Sequence, residues 1–92
     1  MGSDSMIRKR ITFAGSVQGV GFRWRARHAA NLYGCTGWCR NEWDGSVTME
    51  IQGEEDRIDH VLLALRQSRF IEIDRMEETN MPIKDEWGFT TE

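Results

Sequence analysis

The chain has 92 residues, 29% of them charged, and a formal net charge of −3. Such a length supports one domain with a modest core, and no apolar run is long enough to cross a membrane. The balance is that of an ordinary folded chain, and it argues against the broad basic surface that nucleic-acid binding needs.

Residues 1–6 read as a polar disordered tail or expression remnant, and residues 7–92 as a single domain. No signal peptide is expected ahead of the first strand, and Met at position 6 breaks the myristoylation pattern. From Ile7 to Phe13 the residues alternate as in a half-buried strand. Ile7, Ile11 and Phe13 take the inner phase. Arg8, Arg10 and Thr12 take the outer one, where the arginines would face water or lie beside an anion.

Gly15-Ser16-Val17-Gln18-Gly19-Val20-Gly21-Phe22-Arg23 follows. Glycines this dense let a backbone turn tightly and bring its N–H groups close to a ligand. A helix is expected from Phe22 to Leu32, its inner stripe formed by Phe22, Ala26, Ala29, Ala30 and Tyr33. Arg23 falls in its first turn, where the helix dipole disfavours a cation unless it shares an anion with the loop. Ser16, Val17, Gln18, Gly19, Val20, Gly21 and Arg23 therefore form a candidate cradle for a phosphate or carboxylate. The same residues also suit a plain glycine-rich turn with a solvated Arg. The stretch is neither a Walker loop nor a dinucleotide fingerprint, since Arg23 follows where Gly-Lys or a third Gly would be needed.

Gly34 is the expected helix stop. A second strand is expected from Cys35 to Asn41, and Asp44-Gly45 signals a hairpin into a third strand from Ser46 to Gln52. There Val47, Met49 and Ile51 should face the helices, and Thr48, Glu50 and Gln52 water. Cys35 and Cys39 share a strand face about 13 Å apart, too far for a disulfide. Free thiols suit the cytosol. Gly53 should end the strand, and Glu54, Glu55 and Asp56 should open a second helix with Ile58, Val61, Leu62 and Leu65 inward. A fourth strand is expected from Phe70 to Glu77, then a polar loop from Thr79 to Glu86, then a short strand around Trp87 and Phe89. His28 and His60 fall off the apolar stripes and read as surface residues. The order β-α-β-β-α-β predicts an α+β, ferredoxin-like sandwich: a four-stranded antiparallel sheet with both helices on one face.

Neither histidine has a Ser or Cys partner in a recognisable nucleophile motif, and no carboxylate pair falls beside the glycine loop by any defensible spacing. What remains is an Arg, a set of backbone donors, and Asn41 at a strand end. Such a set suits phosphoryl transfer to water from a substrate with a good leaving group, where the work is positioning and charge neutralisation.

The run Val17-Gln18-Gly19-Val20-Gly21-Phe22-Arg23, followed by Gly37-Trp38-Cys39-Arg40-Asn41 and Asp44-Gly45, resembles the acylphosphatase family over Arg8 to about Phe89. That resemblance implies hydrolysis of acyl phosphates to a carboxylate and inorganic phosphate. It assigns phosphate binding to Arg23 and the amides of Ser16 through Gly21. It gives Asn41 the attacking water, and it implies no metal, cofactor or covalent intermediate. The implied partners are a small acyl phosphate and inorganic phosphate as product or inhibitor. No nucleic acid or membrane partner is implied, and the chain is expected to be a monomer. Cys39 stands where the family commonly has Val, Ser16 where many members carry a larger or basic residue, and Gln67-Ser68-Arg69 where a Gly-Pro turn is frequent. Trp43 is unexplained by the motif and reads as a surface residue or a contact for the acyl group. Two other classes stay open: a phosphate-binding regulatory module without turnover, and, more remotely, an RNA-binding module of the same fold. The stacking pair of aromatics that RNA recognition uses is missing from the expected open face.

Overall fold

The computed structural model describes residues 5–92. Its elements run β1 (Met6–Ser16), α1 (Phe22–Leu32), β2 (Thr36–Asn41), β3 (Val47–Glu54), α2 (Glu55–Arg66), β4 (Glu72–Met81) and β5 (Phe89–Thr91). This is the ferredoxin-like order with one strand added. The sheet has five strands in the order β4-β1-β3-β2-β5. The first four pair antiparallel, and β5 joins β2 in parallel. Residues 1–4 of the expected tail lie outside the described residues, and Met6 already belongs to β1.

One core holds the inward strand residues and both helix stripes. Ile11 and Phe13 of β1, Val47, Met49 and Ile51 of β3, Phe22 and Ala26 of α1, and Ile58 and Leu65 of α2 are buried together. Period two in the strands and 3.6 in the helices bring these positions to one side. Phe13 and Phe22 meet edge to face, centroids 4.9 Å apart, and fix the start of α1 over β1. α1 ends as its sequence indicates. Gly34 takes φ 72°, Cys35 N–H donates to Ala30 O and Gly34 N–H to Asn31 O, which is the Schellman closure. Ile73 of β4 is only partly buried against it.

The outer face of the sheet departs from expectation. Thr48, Glu50 and Gln52 are buried rather than solvated, and Arg8 is 1% exposed. Over Arg8 and Gln52 the cover is the segment 82–88, which joins β4 to β5. Gln52 donates to Lys84 O at 2.8 Å and accepts from Lys84 N–H at 2.9 Å. Glu86 accepts from Thr36 Oγ1 at 3.0 Å and pairs with Arg8. Arg8 also donates to Glu50 Oε1 at 2.8 Å and Gln52 Oε1 at 3.2 Å. Its Nη2 has no partner among the described residues. Alternation reports which residues point outward, and outward need not mean wet. The outward side chains of β3 are thus closed off from base stacking.

The strand ends also shift. β1 runs on to Ser16, because β4 pairs with it past a bulge at Ala14/Gly15. A Cβ on Gly15 would run into the Glu72 carbonyl, so the close strand approach requires glycine there. β3 passes through Gly53 to Glu54, paired with Met6 and Ile7. β4 starts at Glu72 and reaches Met81, using residues expected in the polar loop. Its side chains are mostly exposed, so no apolar alternation marks its length. No helix among the described residues is long and apolar enough to cross a membrane.

Candidate active site

The glycine loop is fastened at its valines. Val17 is 1% exposed and Val20 packs against the core, while Gly19 and Gly21 stand at the surface. Gly19 takes φ 74° and Gly21 φ 82°, and a Cβ on either would meet nothing within 4 Å. Backbone conformation, not crowding, requires glycine at these two positions. Gly21 is the N-cap of α1, and no side chain caps that end.

The consequence lies in the hydrogen bonds. Among the described residues, no backbone N–H from Val17 to Trp24 donates to a protein acceptor; the first to do so is Arg25, to Gly21 O. The unpaired donors of the loop continue into those of the helix end. Such a row of unpaired N–H groups at a positive dipole end is suited to an anion.

The side chain of Gln18 turns away to the β2–β3 hairpin. Its Nε2 donates to Glu42 O at 2.7 Å and Ser46 O at 2.8 Å. Only its backbone N–H is left for a ligand. The clamp holds the loop beside the end of β2, where Asn41 stands opposite Val47. Asn41 is exposed, and its amide has no hydrogen-bond partner among the described residues. A turn-capping amide would engage the hairpin, yet that task falls to Asp44. Its Oδ1 accepts from Ser46 N at 3.0 Å and Ser46 Oγ at 2.7 Å. Those two bonds, the Ser46 hydroxyl first, hold the Asp44 carboxyl below its ordinary range.

Arg23 points toward the same end of the sheet. Its Nη1 donates to the main-chain oxygen of Glu92 at 2.8 Å, and Glu92 N–H donates to Cys39 O. The guanidinium is thereby tied to β2 two residues before Asn41. Burial pushes the Cys39 thiol up to about 12, against the opposing charge of Arg23. Burial likewise lifts Cys35 to about 11, and both cysteines are free. Among the described residues no three His, Cys, Asp or Glu side chains gather as a metal-ligand set.

The fold thus brings the loop, Arg23 and Asn41 to neighbouring positions at one end of β1 and β2. An acylphosphatase family model matches residues 9–91. The chain belongs to the acylphosphatase family. It is 40% identical over 85 residues to an acylphosphatase of Bifidobacterium longum (strain NCC 2705), covering 91% of this chain and 88% of that one. The crystal structure of acylphosphatase from Bacillus subtilis superposes with a TM-score of 0.85 at 28% identity, covering 92% of this chain and 97% of that chain. The fold also recurs within a larger protein. Full-length HypF, in its phosphate- and nucleotide-bound form, matches with a TM-score of 0.82 at 23% identity, over 95% of this chain but 12% of that one. As a member of the acylphosphatase family this chain is an enzyme that hydrolyses small acyl phosphates.

The sequence names the loop, Arg23 and Asn41 as candidates, and gives the Gln18 side chain no part of its own. The only polar side chain between Val17 and Val20 was a signal that it had a partner.

Proposed function

We propose that the phosphate of an acyl phosphate sits against the amides of Ser16, Val17, Gln18, Gly19, Val20 and Gly21, gripped by Arg23. Asn41 orients a water for direct attack on phosphorus, and the carboxylate leaves. The observation that carries this reading is the unbroken run of unpaired N–H groups from Val17 to Trp24 beside an uncommitted Asn41 amide.

The loop donors and the Arg23 guanidinium match the negative oxygens of a phosphate, and their fixed positions need little reorganisation as charge moves in the transition state. Arg can present two parallel donors to one phosphate. An amide can accept from a water and donate to it, which fixes its lone-pair direction. A carboxylate is a good leaving group, so no general acid is required. The phosphate's own oxygens can take the water proton. Inorganic phosphate, sharing the same cradle, acts as product and competitive inhibitor. In this reading residues 7–92 work as one domain and as a monomer, with no cofactor. Two buried, unpaired thiols support a reducing, cytoplasmic setting.

The test is phosphate release from acetyl phosphate by the purified protein in the presence of a chelator. Turnover well above spontaneous hydrolysis, inhibited by inorganic phosphate, is expected. Phosphate binding without turnover would leave the anion-binding module as the correct description.

A further inference from the structure

Among residues 82–88 only Glu86 is not exposed. Its carboxylate accepts from Thr36 Oγ1 at 3.0 Å and from Arg8. Thr36 opens β2, at the other end of that strand from Asn41. A row of contacts between β2 and β5 starts there. Gly37 N–H donates to Gly88 O at 3.0 Å, and Cys39 stands opposite Thr91. Glu92 N–H then donates to Cys39 O at 2.8 Å. The row closes on Arg23, whose Nη1 donates to the main-chain oxygen of Glu92 at 2.8 Å.

β5 is poorly suited to hold that row by itself. It has three residues, pairs on one side only, and runs parallel to β2, the weaker ladder per residue. Phe89 is its one buried residue. Segments with so few buried contacts open locally at little cost. When β5 opens, Glu92 leaves β2 and Arg23 loses its partner. Trp87, between Glu86 and Gly88, is 91% exposed and adds no anchorage. The Glu86 carboxylate is the anchor next to β5 in sequence, and both of its bonds lie on the sheet.

We propose that Glu86 is a positioning residue for Arg23: its bonds to Thr36 and Arg8 keep β5 seated on β2, and the seated β5 holds the guanidinium at the phosphate cradle. This rests on the phosphate-cradle reading above. The Glu92 contact engages Nη1 and leaves Nε and Nη2 for a phosphate. An Arg without that contact must be ordered when the anion binds, and immobilising one such side chain corresponds to roughly 2- to 13-fold in affinity. That cost is met on binding, so release of β5 raises KM and leaves kcat nearly unchanged. A purely structural role has the opposite signature: a smaller folded fraction lowers the maximal rate and leaves KM alone.

Inhibition by inorganic phosphate and acetyl phosphate kinetics are compared for the wild type, Glu86→Ala, Glu86→Gln, Thr36→Val, Arg23→Ala and the double variant Glu86→Ala with Arg23→Ala. Circular dichroism gives the folded fraction of each. Glu86→Ala should weaken phosphate inhibition and raise KM by roughly 2- to 13-fold. Thr36→Val removes one of the two bonds at nearly constant shape and should give a smaller shift in the same direction. Glu86→Gln keeps an acceptor for Thr36 and Arg8 and should retain more affinity than Glu86→Ala. In the Arg23→Ala background, Glu86→Ala should change neither constant, because its effect passes through the guanidinium. Unchanged inhibition constants in folded Glu86→Ala and Thr36→Val, or the same loss with and without Arg23, overturn the positioning role and leave the cradle standing. Phosphate binding that is absent, or indifferent to Arg23→Ala, overturns the cradle and this proposal together.

Discussion

Gln18 Nε2 donates to Ser46 O at 2.8 Å, tying the glycine loop to the far arm of the β2–β3 hairpin. The bond spans 28 positions of sequence and joins the loop proposed to bind phosphate to the hairpin that carries Asn41. Gln18→Ala removes it together with the bond to Glu42 O. Both carbonyls keep another donor, Glu42 N–H for Ser46 O and Gly45 N–H for Glu42 O, so the cost in stability should be modest, about 1 to 2 kcal/mol. Activity should fall further than this, since a shift of about 1 Å between reacting groups can cost ~100-fold. Urea unfolding and acyl-phosphate kinetics on the same variant separate the two effects.

Arg23→Ala should weaken inhibition by inorganic phosphate about 10- to 100-fold, the range expected for loss of a charge-assisted hydrogen bond or two. Arg23→Lys should recover little, because an ammonium lacks the planar fork. Equal inhibition constants in all three proteins would remove Arg23 from binding. Thermal unfolding should accompany the measurement, because Arg23 also holds Glu92.

Asn41→Ala should leave phosphate inhibition nearly unchanged while kcat drops by about 100-fold. Asn41→Asp should not restore it, since a carboxylate cannot donate and repels the substrate. Wild-type turnover by a folded Asn41→Ala protein would end its assignment to the water. Because Asp44 holds the turn, the hairpin should survive either change.

Arg8→Met should cost about 3 to 5 kcal/mol in urea unfolding, because Glu50 and Glu86 lose their shared cation beneath segment 82–88. Adding Glu50→Gln and Glu86→Gln should return much of that loss. A single variant as stable as the wild type would mean that the buried pair adds nothing to stability.

The thiols give a pH signature. An unfolded cysteine titrates near 8.5, whereas burial holds Cys35 to about 11 and Cys39 to about 12. Above about pH 9 the unfolded chain releases protons that the folded chain keeps, so these two groups lower stability as pH rises toward 11. Cys35→Ala combined with Cys39→Val should flatten the alkaline limb of the stability profile. Iodoacetamide at pH 8 should label the wild type only after unfolding.

The inner half of this fold was legible because its residues obey one geometric rule. Phe22 to Leu32 was bounded by glycines on both sides, and Ile58, Val61, Leu62 and Leu65 left one helical face apolar. The outer half was not. Arg8 and Gln52 look solvated until segment 82–88 is laid over them, and nothing local in the sequence announces that cover. β4 was read short for a related reason: its partner is β1, and the backbone ladder rather than an apolar stripe defines its length. For the candidate site, glycine spacing pointed to the loop, and the motif to Arg23 and Asn41. The Gln18 clamp and the Arg23–Glu92 bond are contacts between distant segments that no spacing encodes.

β4 occupies one rim of the sheet, ten residues long, with β1 on one side of it. An open backbone rim of that length is a template on which another polypeptide can grow as a further strand. Here the rim carries Glu72, Asp74, Glu77 and Glu78 with only Arg75 among them. Two copies approaching rim to rim would bring acid against acid, so charge opposes fibre-like stacking where geometry alone would permit it.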